Sequence, residues 1–353
     1  MKNIYLKIAD EAHKNQMVLA TVTRTEGSTP QKPGSSAIFS EKGLLSGTIG
    51  GGVVEGRVHS FSLEALKSGR SAHLKFDLFN DISKKEEAIC GGTITVLVDA
   101  KPSDSITAFR QLKESIEQRI PGVLITMVTE RDSSPVLISR YWMSSIVIPD
   151  IPKEYLDKIS PVITEQINKG NQSDFREMTL SLPGKDPGSV IFLEPVFPPE
   201  RLVIAGAGHI GRSLAHIGNL LGFEVTVIDD RPEYASADNI PDADHIIVND
   251  IGKAMKELKK GDDTYVVIVT RGHKDDAEAL KPCIGASLAY TGMIGSKRKV
   301  ASMKQEFIEK SLATKEEWEK IYAPVGLDIG SQTVEEIAVS IAAQLVQVRN
   351  GKK

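Results

Sequence analysis

The stretch RLVIAGAGHIGRSLAHIGNLLGFEVTVIDDRPEY, Arg201 to Tyr234, limits the fold of this chain more than any other. Leu202 to Ala205 is a short apolar strand, and Gly206, Gly208 and Gly211 follow it as G-x-G-x-x-G. Ile210, Leu214, Ile217 and Leu221 then recur at helical spacing, and Glu224 to Ile228 reads as a second strand ending at Asp229. In such a unit the first glycine permits a tight turn, the second lets backbone approach a pyrophosphate, and the third lets the helix pack close to the strand. The helix start offers free N–H groups and a positive partial charge to phosphate. Asp229, 18 residues after Gly211, stands where an acid takes the ribose hydroxyls of an adenosine. Its charge disfavours a 2′-phosphate; Arg231 softens that, so the lean is to NAD over NADP.

The pattern continues. DHIIVND (Asp244 to Asp250), TYVVIVT (Thr264 to Thr270) and AYTGMIGS (Ala289 to Ser296) read as three more strands, with helices at Gly252 to Lys260 and Lys274 to Leu280 between them. A five-stranded parallel sheet in the order 3-2-1-4-5 follows. Ligands of such sheets sit at the carboxyl ends of the strands. There the chain presents the Gly206 to Gly208 loop with His209, then Asp229, then TRGHKDD with Arg271 and His273. Read from the residues, Arg271 is a phosphate contact and His273 a proton-handling group, or the stretch is a solvated surface turn. Near the end, Thr333 and Glu336 form a T-x-x-E capping box before an apolar-faced helix that covers the sheet.

The prolines of LEPVFPPERL, Pro195, Pro198 and Pro199, resist helix and central strand and place a domain border near Pro198. The 197 residues before it contain a weak repeat. VLATVTRTEGS (Val18 to Ser28) resembles VLITMVTERDSS (Val123 to Ser134), and each follows an amphipathic helical stretch, Ile4 to Gln16 and Ile106 to Arg119. GGTITVLVD (Gly91 to Asp99) likewise resembles PGSVIFLEP (Pro187 to Pro195). Each unit reads helix, strand, loop, helix, two strands. The first unit carries GTIGGGVVEG, five glycines in the ten residues Gly47 to Gly56; the second has VLISRYWMSSIVIPDIP there, without glycine. A fold that repeats without the glycines leaves them for a ligand or a partner; a packing turn peculiar to the first unit is the alternative. Val53 to Leu66 reads as a helix, so Gly50, Gly51 and Gly52 fall at its N-terminus, an anion site. Glu55 in the first turn is either an acceptor for ligand N–H groups or a complement to the helix dipole. The loop TEGSTPQKPGSS, with Ser28 and Thr29, is a candidate second wall, or a loop that needs Pro and Gly for its turns.

The expected fold class is thus α/β: an N-terminal α+β domain, residues 1–197, with a possible internal duplication, then a Rossmann-like doubly wound parallel sheet, residues 198–353. Composition bounds the function. With 43 basic and 47 acidic residues the net charge is -4, which gives no reason to expect nucleic acid or an anionic membrane as partner. No apolar run approaches the roughly 18–20 residues that span a bilayer. Met1 to Lys14 mixes Lys, Asp, Glu and His and has no apolar core of a secretion signal. Two isolated cysteines, Cys90 and Cys283, make neither a disulfide framework nor a zinc site, so no metal is expected and a reduced, cytoplasmic setting is. A homodimer is the base-rate expectation for assembly.

Several motifs coincide with one family. TRTEGSTPQKPGS, GTIGGGVVEG and CGGTITVLV, then AGAGHIGRSLA, VIDDRPE, TRGHKDDAEAL, YTGMIGSKRK and GLDIGSQTVEEIAVSI, resemble the xanthine dehydrogenase accessory factor family, XdhC/CoxI, across nearly the whole chain and in order. The resemblance implies a maturation factor and not the hydroxylase itself. Such a factor binds molybdenum cofactor, as molybdopterin or its dinucleotide, and delivers it in sulfurated form to a molybdenum hydroxylase of the xanthine dehydrogenase type, with a cysteine desulfurase as a further partner. One departure matters: family members often read GGGC in the glycine run, and here Val53 follows Gly52. Cys90 matches the family pattern and is the first-domain thiol left for sulfur chemistry; the alternative is a small buried residue before a strand. Candidate chemical groups are therefore Cys90, His273 and Glu55. The competing class is an NAD(P)-dependent oxidoreductase built on the C-terminal sheet, for which no hydride-transfer acid/base pair is identifiable.

Overall fold

A computed structural model describes residues 3–12, 15–78, 91–129, 136–182 and 185–351. The chain divides into two compact units, Lys2–Pro198 and Pro199–Lys353, and each is described by itself.

The first unit begins with α1 (Ile4–Glu11), β1 (Val18–Gly27), β2 (Ser36–Ser40), β3 (Gly43–Gly47), α2 (Gly52–Ser68), β4 (Ala72–Asp77) and β5 (Gly92–Asp99). It continues with α3 (Ile106–Glu117), β6 (Gly122–Thr129), β7 (Leu137–Ser144), α4 (Lys153–Asn168), β8 (Arg176–Leu182) and β9 (Lys185–Val196). Two antiparallel sheets result, in the orders β3-β2-β1-β5-β4 and β7-β6-β9-β8. Aligning β1 with β6, β2 with β7, β5 with β9 and β4 with β8 makes the orders identical, apart from the extra edge strand β3. The same topology therefore appears twice, and the second time it forms without β3 and without a glycine run.

Alternation along the central strands explains the layers. Val18, Ala20 and Val22 of β1 pack against Val54 and Val58 of α2, while Leu19 faces Tyr5 and Ile8 of α1 and Phe109 and Leu112 of α3. In β6, Val123 and Ile125 pack against Tyr155, Ile159 and Ile163 of α4, and Leu124 joins the cluster around α1 and α3. Helices α1 and α3 thus share one core with both sheets. A buried ion pair, Arg140 to Asp99, ties β7 to β5.

Two sequence expectations change here. The segment between first strand and second helix is not a loop: it holds β2 and β3 in one half and β7 in the other. Ala37, Ile38 and Phe39 are all buried, because β2 is covered on both faces. Such a strand shows no polar alternation, and five residues are too few to announce it. Helix α1 also stops at Glu11, short of the Gln16 that the amphipathic pattern reached.

The second unit contains β10 (Arg201–Ala205), α5 (His209–Leu220), β11 (Glu224–Asp229), β12 (His245–Val248), α6 (Ile251–Glu257), β13 (Thr264–Ile268), α7 (His273–Leu280), β14 (Tyr290–Met293), α8 (Lys297–Glu309), α9 (Lys315–Trp318) and α10 (Val334–Arg349). Its parallel sheet has the order β12-β11-β10-β13-β14, the 3-2-1-4-5 expected. A Cβ on Gly211 would come within 1.9 Å of the Gly206 carbonyl, so only glycine lets α5 approach β10 this closely. Helix α10, capped by Thr333 and Glu336, buries Ala338, Ile341, Ala342 and Leu345 in one cluster with Leu214 and Ala215 of α5. Among the described residues no helix is long and apolar enough to cross a membrane.

Candidate functional site

The glycine run leaves β3 and enters α2. Gly50, Gly51 and Gly52 all have positive φ, 122°, 69° and 58°. Gly51, the N-cap, has ψ -170°, a combination open essentially to glycine alone. The first carbonyl bond of the helix is Glu55 N–H to Gly51. The Gly52, Val53 and Val54 N–H groups meet no acceptor among the described residues, as the first turn of a helix without a side-chain cap requires. A Cβ at Gly51 or Gly52 would meet nothing within 4 Å, so the space over these amides is open. At Gly50 the opposite holds: a Cβ would lie 2.7 Å from Pro30 Cγ and 3.4 Å from Gln31 Cγ.

The Ser28 and Thr29 loop therefore reaches the glycine run through Pro30 and Gln31. Thr29 Oγ1 donates to the Gln31 carbonyl at 3.0 Å, Ser35 Oγ donates to Gln31 Oε1 at 2.9 Å, and the exposed Ser28 is held by its N–H on Gly91. Glu55 turns back on its own loop. Its Oε2 accepts from Thr48 Oγ1 at 2.9 Å and from the Ile49 N–H at 3.3 Å, and Thr48 Oγ1 in turn accepts from the Gly50 N–H at 3.1 Å. The carboxylate thus braces the three residues that precede the open glycines. Thr48, Pro30 and Gln31 escaped the sequence reading; Thr48 seven residues before an acid, across a run of glycines, was the available signal. Cys90 lies outside the described residues.

Below this loop runs a polar chain. Thr48 N–H donates to the Ser36 carbonyl, and Ser36 Oγ donates to Thr21 Oγ1 at 3.0 Å. Tyr5 hydroxyl lies 3.4 Å from Ser36 Oγ and donates to Glu194 Oε2 at 2.6 Å. Burial pushes the Glu194 carboxyl up to about 7, against the pull of the Tyr5 hydrogen bond and the Arg140 charge.

In the second unit the turn that follows β10 is open at Gly208 in the same way. A Cβ at Gly208 would meet nothing within 4 Å, nor would one at Gly272, the N-cap of α7. His209 is exposed at the first residue of α5. Asp229 is 1% exposed, and both its oxygens are engaged. Oδ2 accepts from the Ala207 N–H at 2.7 Å and from Arg231 Nη2 at 2.9 Å; Oδ1 accepts from the Arg231 N–H at 3.0 Å and from Arg231 Nε at 2.8 Å. Burial alone would raise this carboxyl, but the Arg231 and backbone hydrogen bonds hold it at about 2. The Arg231 guanidinium also lies 3.9 Å over the Tyr234 ring. Arg271 pairs with Asp230 at 2.8 Å and with Asp275 at 3.5 Å, and His273 Nε2 is 3.2 Å from Glu306. Beneath them Asp276, fully buried, accepts from Thr270 Oγ1 at 2.5 Å and pairs with Lys299 of α8, fixing the ends of β13, α7 and α8 to one another. Asp230, Asp276 and Lys299 were not singled out from sequence; the doubled acid of IDDR was the one visible sign. Cys283 is buried and its thiol is pushed up to about 12 by desolvation, which makes it inert.

Known proteins resemble the chain along its length. A family model described as "XdhC and CoxI family" matches residues 11–77, which include the glycine run, and one described as "XdhC Rossmann domain" matches residues 202–345. A protein of Bacillus subtilis (strain 168) named as a probable xanthine dehydrogenase subunit is 27% identical over 338 residues, 95% of this chain and 94% of that protein. The uncharacterized protein YqeB of Escherichia coli (strain K12) is 36% identical over 151 residues, 42% of this chain and 27% of that longer protein. A crystal structure described as a xanthine dehydrogenase from Bacillus halodurans shares the fold, with a TM-score of 0.75 over 99% of this chain and 96% of that one, at 24% identity. Membership supports an accessory role to xanthine dehydrogenase. With both of its domains matched in order, the chain belongs to the XdhC and CoxI family.

Proposed function

We propose that this protein is a cytoplasmic accessory factor that binds molybdenum cofactor, as molybdopterin or its dinucleotide, and delivers it to a molybdenum hydroxylase of the xanthine dehydrogenase type. The observation that carries the reading is the loop at the start of α2. Free N–H groups of Gly52, Val53 and Val54, a positive helix end and unfilled space over Gly51 and Gly52 suit the phosphate of such a cofactor. Val53 brings no thiol, so the loop holds its ligand by backbone amides alone. Pro30 and Gln31 form the wall beside it, and Glu55 keeps the loop in shape. Family membership and the name of the Bacillus subtilis relative support the choice of partner.

The C-terminal sheet takes a nucleotide in this proposal, with Gly206, Gly208 and Gly211 shaping the phosphate loop. NAD(P) is the ligand class that its βαβ unit suits. Purifying the protein from cells that make molybdenum cofactor, recording its absorbance and identifying released small molecules by mass spectrometry tests the carrier. A bound pterin is expected. Bound NAD(P) without affinity for pterin would overturn the carrier and leave an NAD(P)-dependent oxidoreductase.

A further inference from the structure

Asp229 stands where an adenosine ribose is ordinarily read, yet its acceptor capacity is spent. A carboxylate has about four lone-pair sites, and four donors reach this one: the Ala207 N–H and the N–H, Nε and Nη2 of Arg231. With 1% of the residue exposed, no oxygen remains for a diol. The Arg231 guanidinium is itself fixed from a second side by Tyr234, at 3.9 Å, so its departure costs a stacking contact as well as an ion pair.

The next residue is different. The Asp230 side chain is 40% exposed, and Arg271, 53% exposed, meets it at 2.8 Å. Asp230 follows β11 and Arg271 follows β13, and β10 lies between those strands. The pair therefore crosses the exit of β10, where the chain turns through Gly206 to Gly208. Gly206 confirms how close that approach is, since a Cβ there would lie 2.4 Å from the Val269 carbonyl. A ligand with its diphosphate on the bare Gly208 loop meets this exposed pair before it meets Asp229.

We propose that Asp230 and Arg271, and not Asp229, read the nucleotide in the C-terminal unit: Asp230 accepts from the ribose diol, and Arg271 leaves Asp230 for the diphosphate. The ligand class is an adenine dinucleotide with an unphosphorylated ribose, because a 2′-phosphate would bring its charge against Asp230. Asp229 is a positioning residue that holds Arg231 and the Ala207 N–H in place. The inference rests on the nucleotide reading of this unit and is independent of what the glycine run in the first unit binds.

Titration of the full chain with NADH, NADPH and ADP-ribose, followed by fluorescence or calorimetry beside thermal unfolding, tests it. NADH and ADP-ribose bind the natural protein, with NADPH about tenfold or more weaker. D230N weakens NADH about tenfold at unchanged Tm and narrows the gap to NADPH, the size expected for one hydrogen bond to a charged group. R271A weakens both dinucleotides alike. D229N lowers Tm and weakens NADH and NADPH alike, by less than D230N weakens NADH. Natural NADH affinity in D230N overturns the inference, as does a folded D229N that has lost NADH. A natural protein with no affinity for any of the three probes overturns the nucleotide reading, and the inference with it.

Discussion

Gly51→Ala separates the cost of the glycine run to the fold from its use to a ligand. At φ 69° and ψ -170°, Gly51 occupies a region essentially closed to other residues, and an alanine forced into it costs about 1–3 kcal/mol. The new methyl clashes with nothing, since no atom lies within 4 Å of its position. The penalty is therefore conformational alone. At about 2–4 °C per kcal/mol for a domain of this size, a penalty of about 2 kcal/mol lowers the Tm of the Lys2–Pro198 unit by about 4–8 °C. The methyl also enters the open space over the free amides of α2. Losing one amide–phosphate bond there, about 1.5–3 kcal/mol, weakens cofactor retention about 10- to 100-fold. Gly56→Ala is the control: Gly56 is exposed within α2, its Cβ position is equally empty, and alanine gains about 0.5–1 kcal/mol of helix stability. The assay is pterin released per chain from purified protein, beside thermal unfolding of each variant. G51A should melt earlier and carry little pterin; G56A should melt later and carry the natural amount. A folded G51A that retains pterin like the natural protein would refute the reasoning and remove the glycine run from the site.

The charged and polar clusters give three further predictions. The Asp229 carboxyl sits at about 2 when folded against an ordinary 3.8, so its stabilisation is complete above the ordinary value and is lost as pH falls through about 2. Arg231→Ala should cost about 2 kcal/mol at pH 7 and flatten the acid limb of the unfolding midpoint between pH 5 and 2; an unchanged acid limb would count against the clamp. Glu194 is the reverse case, at about 7 when folded against 4.5. Its favourable contribution is complete below 4.5 and is lost as pH rises through about 7. Glu194→Gln, which still accepts from Tyr5, should gain about 2–3 kcal/mol at pH 8 and nothing at pH 4, as read from urea unfolding at the two pH values. Tyr290→Phe removes the buried hydroxyl that donates to Gln344 Oε1 at 2.5 Å. About 1 kcal/mol of stability should go with it, because the Gly326 N–H still satisfies Gln344; a loss above 3 kcal/mol would show that the hydroxyl has a larger role.

The C-terminal sheet was legible because each local rule agrees there. A strand, three spaced glycines, an amphipathic helix and an acid all fall inside Arg201 to Tyr234, and helical patterns follow the first, third and fourth strands of the sheet. In the first unit the helices were readable and the short strands were not, because Ala37 to Phe39 are buried on both faces and show no period. The candidate sites divide in the same way. The glycines at the start of α2 follow from where an apolar periodicity begins. That Glu55 folds back on Thr48, or that Arg231 returns two residues to saturate Asp229, depends on side-chain direction, which spacing does not encode.

The doubled strand order has a kinetic consequence. In each half the central partners are distant in sequence: β1 waits for β5, which starts at Gly92, and β6 waits for β9, which starts at Lys185. Pairings of that separation form slowly. During the wait, Val18 to Ser28 and Val123 to Ser134 are similar enough to compete for each other's partner, the exchange to which duplicated domains are prone. The pairing of β1 with β5 shifts register between Val22 and Arg24, whereas β6 pairs with β9 without a shift from Gly122 opposite Val196 to Val128 opposite Val190. Differences of this kind between the halves act as proofreading, because β1 fits closely against only one of the two strands that resemble its partner.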